Sequence, residues 1–270
     1  MPDALRRVIR RHQKQCYQLL FQASAQATQQ LAQDPRFVGG QLGLLGVLQT
    51  WGRTLNYHPH VHYLVPGGGV SLDGDWRPAR KTFLLPVKAL SRLFRAKFRD
   101  ALRQTPQFAE VPPQVWQQAW VVHCQPVGDG QAALKYLAPY IFRGALSNSR
   151  IMNVADGRVT FRYRATGSNK LKTCTLKAAE FIRRFLQHVL PKGFVKVRYY
   201  GLFSPAHRPQ LARLRQDLTP HATLAPSARD PEPAAQTQRT SPTVPCSLCP
   251  TCGRPLQCRT LPPVRRGRPP

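Results

Sequence analysis

Two strand-like runs joined by a short link constrain this fold more than any other feature of the sequence. The first run extends from Gln41 to Trp51, the second from Asn56 to Val65, and Gly52-Arg53-Thr54 lies between them. Pro66 and three glycines end the second run. Runs of this length around a glycine-containing link are typical of antiparallel hairpins. We therefore expect the two runs to pair.

The second run carries three histidines. Because successive side chains of a strand alternate between its faces, His60 and His62 are expected on one face and Val61 on the other. Such a pair can bind a divalent metal ion, although a histidine-rich loop without a ligand is the alternative. His58 has the same parity but precedes Pro59, and it ranks below the other two. The hairpin brings Gln49 level with His60, so Gln49 is either a third ligand or an exposed strand residue.

The charge balance indicates a polyanionic partner. Lys and Arg number 40 against 12 Asp and Glu, for a formal net charge of +28. Nucleic acid is the first expectation and an anionic membrane surface a distant second. Only nine acidic residues precede residue 200, and they form no cluster in the sequence. A catalytic metal, Mg²⁺ or Mn²⁺, must therefore rely on histidines rather than on clustered carboxylates.

The remaining pattern predicts an α+β fold with a central antiparallel sheet and flanking helices. Residues 158–164 alternate strictly, which places Arg158, Arg162 and Arg164 on one basic face, and with Arg143 they are candidate DNA-binding residues. Further helices are expected over residues 3–32 (one or two helices), 86–103, 130–143 and 177–190, and further strands over 116–124 and 194–200.

The last part of the chain differs in composition. We expect an ordered domain over residues 1–210, a disordered linker over 211–245 rich in Pro, Ala, Ser and Thr, and a basic tail over 246–270. The tail is either a small zinc site or unstructured, because its spacing is short for a zinc site. The four candidate Zn²⁺ ligands are Cys246, Cys249, Cys252 and Cys258.

No run approaches the roughly 20 apolar residues of a membrane span, and the first residues do not form a signal peptide. An intracellular protein with reduced or metal-bound cysteines is expected.

Two tyrosines lie four residues apart in the predicted helix over 130–143. Tyr136 and Tyr140 would therefore share one helix face, as candidate nucleophiles or as core residues. A phenol attacks phosphorus at neutral pH only where cations stabilise its developing charge, and Lys135 and Arg143 are close in sequence. Pro139 lies between the tyrosines and would kink the helix or cost roughly 3 kcal/mol. Tyr136 is therefore the safer nucleophile.

His60-Val61-His62 followed by Tyr136-Leu137-Ala138-Pro139-Tyr140 resembles the two-tyrosine rolling-circle transposases of bacterial insertion sequences, in the HUH endonuclease superfamily. The resemblance covers roughly residues 1–210. Its further segments are Thr50-Trp51-Gly52-Arg53-Thr54-Leu55, the glycines after Pro66, Leu90-Ser91-Arg92-Leu93-Phe94-Arg95, Val159-Thr160-Phe161-Arg162-Tyr163-Arg164 and Arg198-Tyr199-Tyr200-Gly201-Leu202.

The resemblance implies a sheet with the histidine pair on a central strand and the tyrosine helix beside it. It also implies metal-dependent cleavage of single-stranded DNA, which gives a 5′-phosphotyrosine and a free 3′-hydroxyl. His60 and His62 would be the metal ligands, and Tyr136 and Tyr140 the nucleophiles. Members usually begin with a cysteine-rich zinc-binding segment; none precedes the first helix here, so we expect either a shortened copy or a fragment.

The expected function is rolling-circle DNA transposition, with single-stranded DNA and transposon ends as partners in the bacterial cytoplasm at the nucleoid. A degenerate or truncated transposase remnant that only binds DNA is one alternative. A related replication initiator or relaxase is the other.

Overall fold

The structure is a computed structural model that describes residues 1–80, 82–142, 144–165 and 170–218. The helices are α1 (Asp3–Arg11), α2 (Gln13–Ala32), α3 (Val87–Arg103), α4 (Gly130–Phe142), α5 (Ala178–Leu186) and α6 (Arg208–Leu218). The strands are β1 (Gly43–Trp51), β2 (Tyr57–Leu64), β3 (Gly68–Val70), β4 (Trp76–Pro78), β5 (Ile151–Ala155), β6 (Arg158–Arg164), β7 (Leu171–Lys177) and β8 (Val197–Gly201). The predicted α+β fold class with antiparallel sheets is confirmed.

The first sheet has the order β2-β1-β8, and both pairs are antiparallel. The predicted hairpin is confirmed, and Gln49 is the register partner of His60. The resemblance implied that the histidine strand is central. This was wrong among the strands that the structure describes: β1 is central and β2 lies at an edge. The reason is that β1, with six of its nine residues buried, is flanked by both β2 and β8.

Helices α1 and α2 pack against this sheet and α3 packs against α2, and the three helices form the main core with the sheet. Tyr17 and Phe21 of α2 and Phe98 of α3 are fully buried. The hydroxyl groups of Tyr17 and Tyr57 are 2.7 Å apart, so α2 and β2 share a buried hydrogen bond as well as apolar contacts. Gly46 lets β1 approach α2, because a Cβ atom there would lie 3.1 Å from the Phe21 ring. No helix in the described part of the chain is long and apolar enough to cross a membrane.

The second sheet has the order β5-β6-β7 and packs on α5. Its buried face carries Val159 and Phe161, while Arg158, Arg162 and Arg164 are exposed, so the predicted alternation of β6 is confirmed. Strands β5 and β7 were missed by the sequence reasoning. Neither has an apolar face of its own, since most of their residues are exposed.

The predicted strand over residues 116–124 is wrong. A short 3₁₀ helix spans Pro113–Trp116, and residues 119–128 have no regular secondary structure. Side chains of α3 take the place of a strand partner: the Ser91 hydroxyl donates to the carbonyl of Trp120, and Arg95 Nη1 donates to that of Gln118 over 2.6 Å. With its carbonyls bonded in this way, the segment can bury Trp120 without a ladder.

The predicted helix over 177–190 begins one residue later and ends four residues earlier than expected. Lys177 is the last residue of β7, paired with Arg158, and the helix stops at Leu186. Residues Met1–Pro220 form one compact unit. Residues 211–218 of the expected linker are helical, because α6 continues to Leu218. The rest of the linker and the tail stay predictions, because residues 219–270 lie outside the described residues, including Cys246, Cys249, Cys252 and Cys258.

Candidate metal centre and DNA-binding surface

The hairpin brings Gln49, His60 and His62 together on one face of the first sheet. His62 Nε2 donates a hydrogen bond to Gln49 Oε1 over 2.9 Å. The ring centroids of His60 and His62 are 4.8 Å apart. The amide nitrogen of Gln49 donates to the carbonyl of Trp51 over 2.9 Å, and this bond directs the amide oxygen toward His62. The predicted juxtaposition of these three residues is therefore present, while a role as ligands stays a prediction.

Both imidazoles are partly buried, and burial disfavours their charged form. Burial lowers the pKa of His60, against the effect of its hydrogen bond to the carbonyl of His58. Burial, followed by the proximity of His60, lowers the pKa of His62 to about 4. Neutral imidazoles are the form that binds a metal, so the site is prepared for ligation near neutral pH.

The donor set fits a small divalent ion. His60 Nδ1 donates to the carbonyl of His58 over 2.6 Å, which leaves Nε2 as the unprotonated nitrogen. Ligands at roughly 2.1 Å from an octahedral ion are about 3 Å apart along each edge. The 2.9 Å separation of His62 Nε2 and Gln49 Oε1 matches such an edge, and ligation by Nε2 would require its proton to move to Nδ1.

No group of three or more His, Cys, Asp or Glu within the described ranges is arranged to hold a metal ion. His58 therefore does not complete a site of three histidines, although its ring centroid is 5.0 Å from that of His60. The two imidazoles need the oxygen of Gln49 as the further protein donor, and such a set leaves positions for substrate oxygens.

Helix α4 carries the two tyrosines and packs against β1 and β2. Asp129 caps the N-terminus of α4, since its carboxylate accepts a hydrogen bond from the main-chain N–H of Ala132 over 2.8 Å. The helical backbone continues through Pro139 to Phe142, so the proline does not end the helix. The side chains of Tyr136 and Tyr140, and all of Arg143, lie outside the described part of the structure. Only the predicted position of the tyrosine helix beside the histidine strand is therefore observed.

The β1–β2 turn is held by side chains that are far away in sequence, a feature the sequence reasoning missed. Leu55 is fully buried in the turn and has a positive φ of 62°, which is strained for a leucine. Three successive turn carbonyls, those of Arg53, Thr54 and Leu55, each accept one side-chain hydrogen bond. The donors are Arg150 Nη2 at 3.3 Å, Arg184 Nη1 at 3.1 Å and His188 Nε2 at 3.1 Å, respectively.

Hydrogen bonds between residues that are far apart in the chain leave no local pattern in the sequence. The only sequence signal was the resemblance of Thr50-Trp51-Gly52-Arg53-Thr54-Leu55 to a family segment.

The comparison with known protein families adds to this geometry. A family model with the description "Putative transposase" (Y2_Tnp) matches residues 43–210. The chain belongs to this transposase family. The matched stretch begins at β1 and contains Gln49, His60, His62, the whole of α4 and the basic strand β6. The resemblance recognised from the sequence is thus confirmed.

Two curated members of the transposase family are similar to this chain. "Putative transposase y4qJ" of Sinorhizobium fredii is 37% identical over 248 residues, which are 84% of this chain and 62% of that protein. "Transposase for insertion sequence element IS801" of Pseudomonas savastanoi pv. phaseolicola is 30% identical over 185 residues, 62% of this chain and 44% of that protein. The chain thus matches less than two thirds of each relative's length. No solved structure matches it significantly.

Proposed function

We propose that this transposase chain nicks and rejoins single-stranded DNA through a covalent 5′-phosphotyrosine during rolling-circle transposition. One observation carries the proposal: His62 Nε2 is 2.9 Å from Gln49 Oε1, beside His60 and on strands that α4 contacts. The three candidate ligands and the helix with two tyrosines are therefore neighbours. The similarity to the transposase of IS801 supports a role in DNA transposition.

In the proposed reaction the hydroxyl oxygen of Tyr136 attacks the scissile phosphorus. A phosphorus–oxygen bond to tyrosine forms, and the bond to the 3′-oxygen of the preceding nucleotide breaks. The phenolic proton leaves, and the 3′-oxygen takes up a proton to become a free hydroxyl. The phosphotyrosine keeps the energy of the phosphodiester, so a 3′-hydroxyl can later attack it and rejoin the strand.

His60, His62 and Gln49 would hold Mg²⁺ or Mn²⁺ against the scissile phosphate. Such an ion supplies Lewis-acid polarisation of the phosphoryl oxygen and neutralises charge in the transition state.

DNA phosphates would be bound by four arginines, since guanidinium groups match phosphate geometry. These are Arg143, Arg158, Arg162 and Arg164. Tyr140 would accept the second strand transfer. Zn²⁺ bound by the four tail cysteines stays a further prediction.

The decisive experiment is a covalent-adduct assay with the full chain. The protein is incubated with Mn²⁺ and oligonucleotides from the insertion-sequence ends, labelled at either the 5′ or the 3′ terminus, and resolved on a denaturing gel. A 5′-phosphotyrosine retains the downstream fragment, so only the 3′ label should migrate with the protein. Tyr136→Phe should abolish the adduct, whereas Tyr140→Phe should keep it and lose the second transfer. Tyr199→Phe, at an exposed position on β8, is the matched control.

The alternatives make different predictions in the same assay. A remnant that only binds DNA would shift the oligonucleotides in a native gel but form no adduct on any terminus. An adduct that persists in Tyr136→Phe would show that another residue is the nucleophile. A replication initiator or relaxase would form the adduct on origin or transfer-origin sequences and not on insertion-sequence ends.

A further inference from the structure

Three arginines meet where the β1–β2 turn contacts the second sheet. We call Arg53, Arg150 and Arg162 the turn arginines. Each donates to main-chain carbonyls: Arg53 Nη1 to Arg164 at 2.7 Å and to Ala165, Arg150 Nε to Arg162 at 2.9 Å, and Arg162 Nη2 to Ser149 at 3.0 Å. Because Arg150 also donates to the carbonyl of Arg53, the three residues belong to one connected network.

The turn arginines have no carboxylate partner among the ion pairs of the described chain. Glu180, which is linked to the turn through Arg184, is already bound by Arg183 and Arg184 at 2.6 and 2.7 Å. Carbonyl groups fix the direction of a guanidinium but do not neutralise it. Three like charges held together repel one another, and such a cluster is stabilised when an anion binds.

The geometry of the turn makes this cluster rigid. Leu55 anchors the turn in a core with Ala145 and Phe161, and three successive carbonyls of the turn are bonded to distant side chains. Arg53 and Arg162 are exposed, whereas Arg150 is half-buried. Charged donors on such a pre-organised support lose little conformational entropy when they bind a ligand.

The cluster is also close to the candidate metal centre. Arg53 follows Gln49 by four residues, and four residues of extended chain span at most about 14 Å. About four nucleotides cover that distance at the duplex rise of roughly 3.4 Å. One stretch of single-stranded DNA can therefore reach both places.

We propose that the turn arginines form a binding site for backbone phosphates of single-stranded DNA, a few nucleotides from the phosphate bound at Gln49, His60 and His62. This inference rests on the proposed function and extends it to Arg53 and Arg150. The site would hold the DNA backbone independently of base sequence, because arginine–phosphate contacts position a strand without reading it. The strand would then be fixed on one side of the scissile phosphate.

The test is the salt dependence of DNA binding by the full chain. Fluorescence anisotropy measures the association constant K for a labelled oligothymidylate at several salt concentrations. EDTA is present so that no cleavage occurs, and log K is plotted against the logarithm of the salt concentration. Each lost phosphate contact should reduce the steepness of this line by about 0.7 for single-stranded DNA. We expect that reduction in Arg53→Gln and in Arg162→Gln.

The matched control is Arg95→Gln. Arg95 is also a positively charged residue that donates to a main-chain carbonyl, but it lies on α3. If Arg95→Gln flattens the salt dependence as much as Arg53→Gln does, binding is spread over the basic surface and the assignment is wrong. Unchanged slopes in both turn-arginine variants would also overturn it.

Two further experiments distinguish phosphate binding from a purely structural role of the turn arginines: the variant Arg150→Lys and chemically modified DNA. In Arg150→Lys the lysine keeps the positive charge but loses hydrogen bonds to the turn. If Arg150 has only a structural role, the variant should have a lower melting temperature and a changed slope of log K against log salt concentration. If Arg150 binds a phosphate, that slope should be retained. A neutral methylphosphonate at the contacted position should weaken binding to the wild type and have no further effect in Arg53→Gln. Additive effects at every position would contradict the proposal.

Failure of this inference is distinguishable from failure of the proposed function. If the chain forms the Tyr136 adduct while turn-arginine variants bind with wild-type slopes, only the inference fails. If the wild type does not bind the oligonucleotide at all, the proposed function fails as well.

Discussion

Gln49 Oε1 accepts a hydrogen bond from His62 Nε2 over 2.9 Å, across a hairpin that separates the two residues by 13 positions. The contact holds an amide oxygen and an imidazole nitrogen next to each other. A second bond, from Gln49 Nε2 to the carbonyl of Trp51, prevents the amide from turning over. This pairing supports the proposal that Gln49 supplies the third ligand beside His60 and His62.

Removing this oxygen should weaken metal binding directly. We expect Gln49→Ala to lower Mn²⁺ affinity by roughly 10-fold or more, because one ligand and the orientation of His62 are lost together. Gln49→Glu keeps an oxygen donor and should bind Mn²⁺ at least as well as the wild type. Titration followed by electron paramagnetic resonance measures affinity without any DNA. Gln114→Ala, at an exposed position, is the control. Wild-type affinity in Gln49→Ala would exclude Gln49 as a ligand.

The hairpin and the position of Gln49 were predictable because both depend on local patterns. Period-two alternation and a glycine-containing link fix the pairing, and counting across the link then places Gln49 opposite His60. Strand β6 was predictable for the same reason. Strands β5 and β7 were not, because their exposed residues give no alternation between apolar and polar positions.

The errors arose where side chains from distant elements replace regular pairing. Trp120 lies in an apolar stretch typical of a strand, yet Ser91 on α3 bonds its carbonyl. Similarly, nothing near His188 in the sequence indicates that its ring binds the β1–β2 turn. Periodicity reports on neighbours along the chain, so contacts of this kind require the fold.

His188 should make the protein less stable in acid. Burial lowers its pKa below the ordinary value near 6.5, against the effect of its bond to Leu55. The unfolded chain therefore takes up a proton at a pH where the folded chain does not. The stabilisation is complete above about pH 6.5 and decreases as the pH falls toward the folded-state pKa.

We expect His188→Gln to lose about 1–3 kcal/mol at pH 8, because buried partners lose their hydrogen bonds. The free energy of unfolding of His188→Gln should also depend less on pH than that of the wild type. The difference in slope is at most about 1.4 kcal/mol per pH unit, between pH 6.5 and the pKa of His188 in the folded chain. Urea unfolding at several pH values measures both effects. Thr50→Val is the matched control, since it removes the hydroxyl that is 3.2 Å from His188 Nδ1 but no titratable group. A steeper pH dependence in His188→Gln would contradict the assignment.

Arg198 should stabilise the contact between β8 and α2 through two aromatic rings. Its guanidinium carbon lies 4.6 Å from the ring centroid of Phe21 and 5.1 Å from that of Phe194. Arg198→Gln should cost about 1–2 kcal/mol, and Arg198→Lys should recover part of this because the charge remains. Arg103→Gln, which removes an exposed arginine 5.7 Å from the Phe108 ring, should cost less. Equal losses of unfolding free energy in Arg103→Gln and Arg198→Gln would show that the enclosed position of Arg198 adds no stability.

Gly201 should tolerate no side chain, for two independent reasons. Its φ is +57°, a conformation that costs an L-residue about 1–2 kcal/mol. A Cβ atom there would also lie 2.0 Å from the carbonyl oxygen of Leu42, where β8 meets the start of β1. Gly157 has a similar φ of +65° but no neighbour within 4 Å of its Cβ position.

The two glycines therefore separate backbone strain from steric overlap. Gly157→Ala should lose only about 1–2 kcal/mol of unfolding free energy. Gly201→Ala should lose roughly 3 kcal/mol or more, because β1 and β8 must separate to admit the methyl group. Thermal and urea unfolding of the two variants give the comparison. A loss in Gly201→Ala no larger than that in Gly157→Ala would mean that β8 shifts freely against β1, and the rigid β2-β1-β8 sheet that supports Gln49 would be wrong.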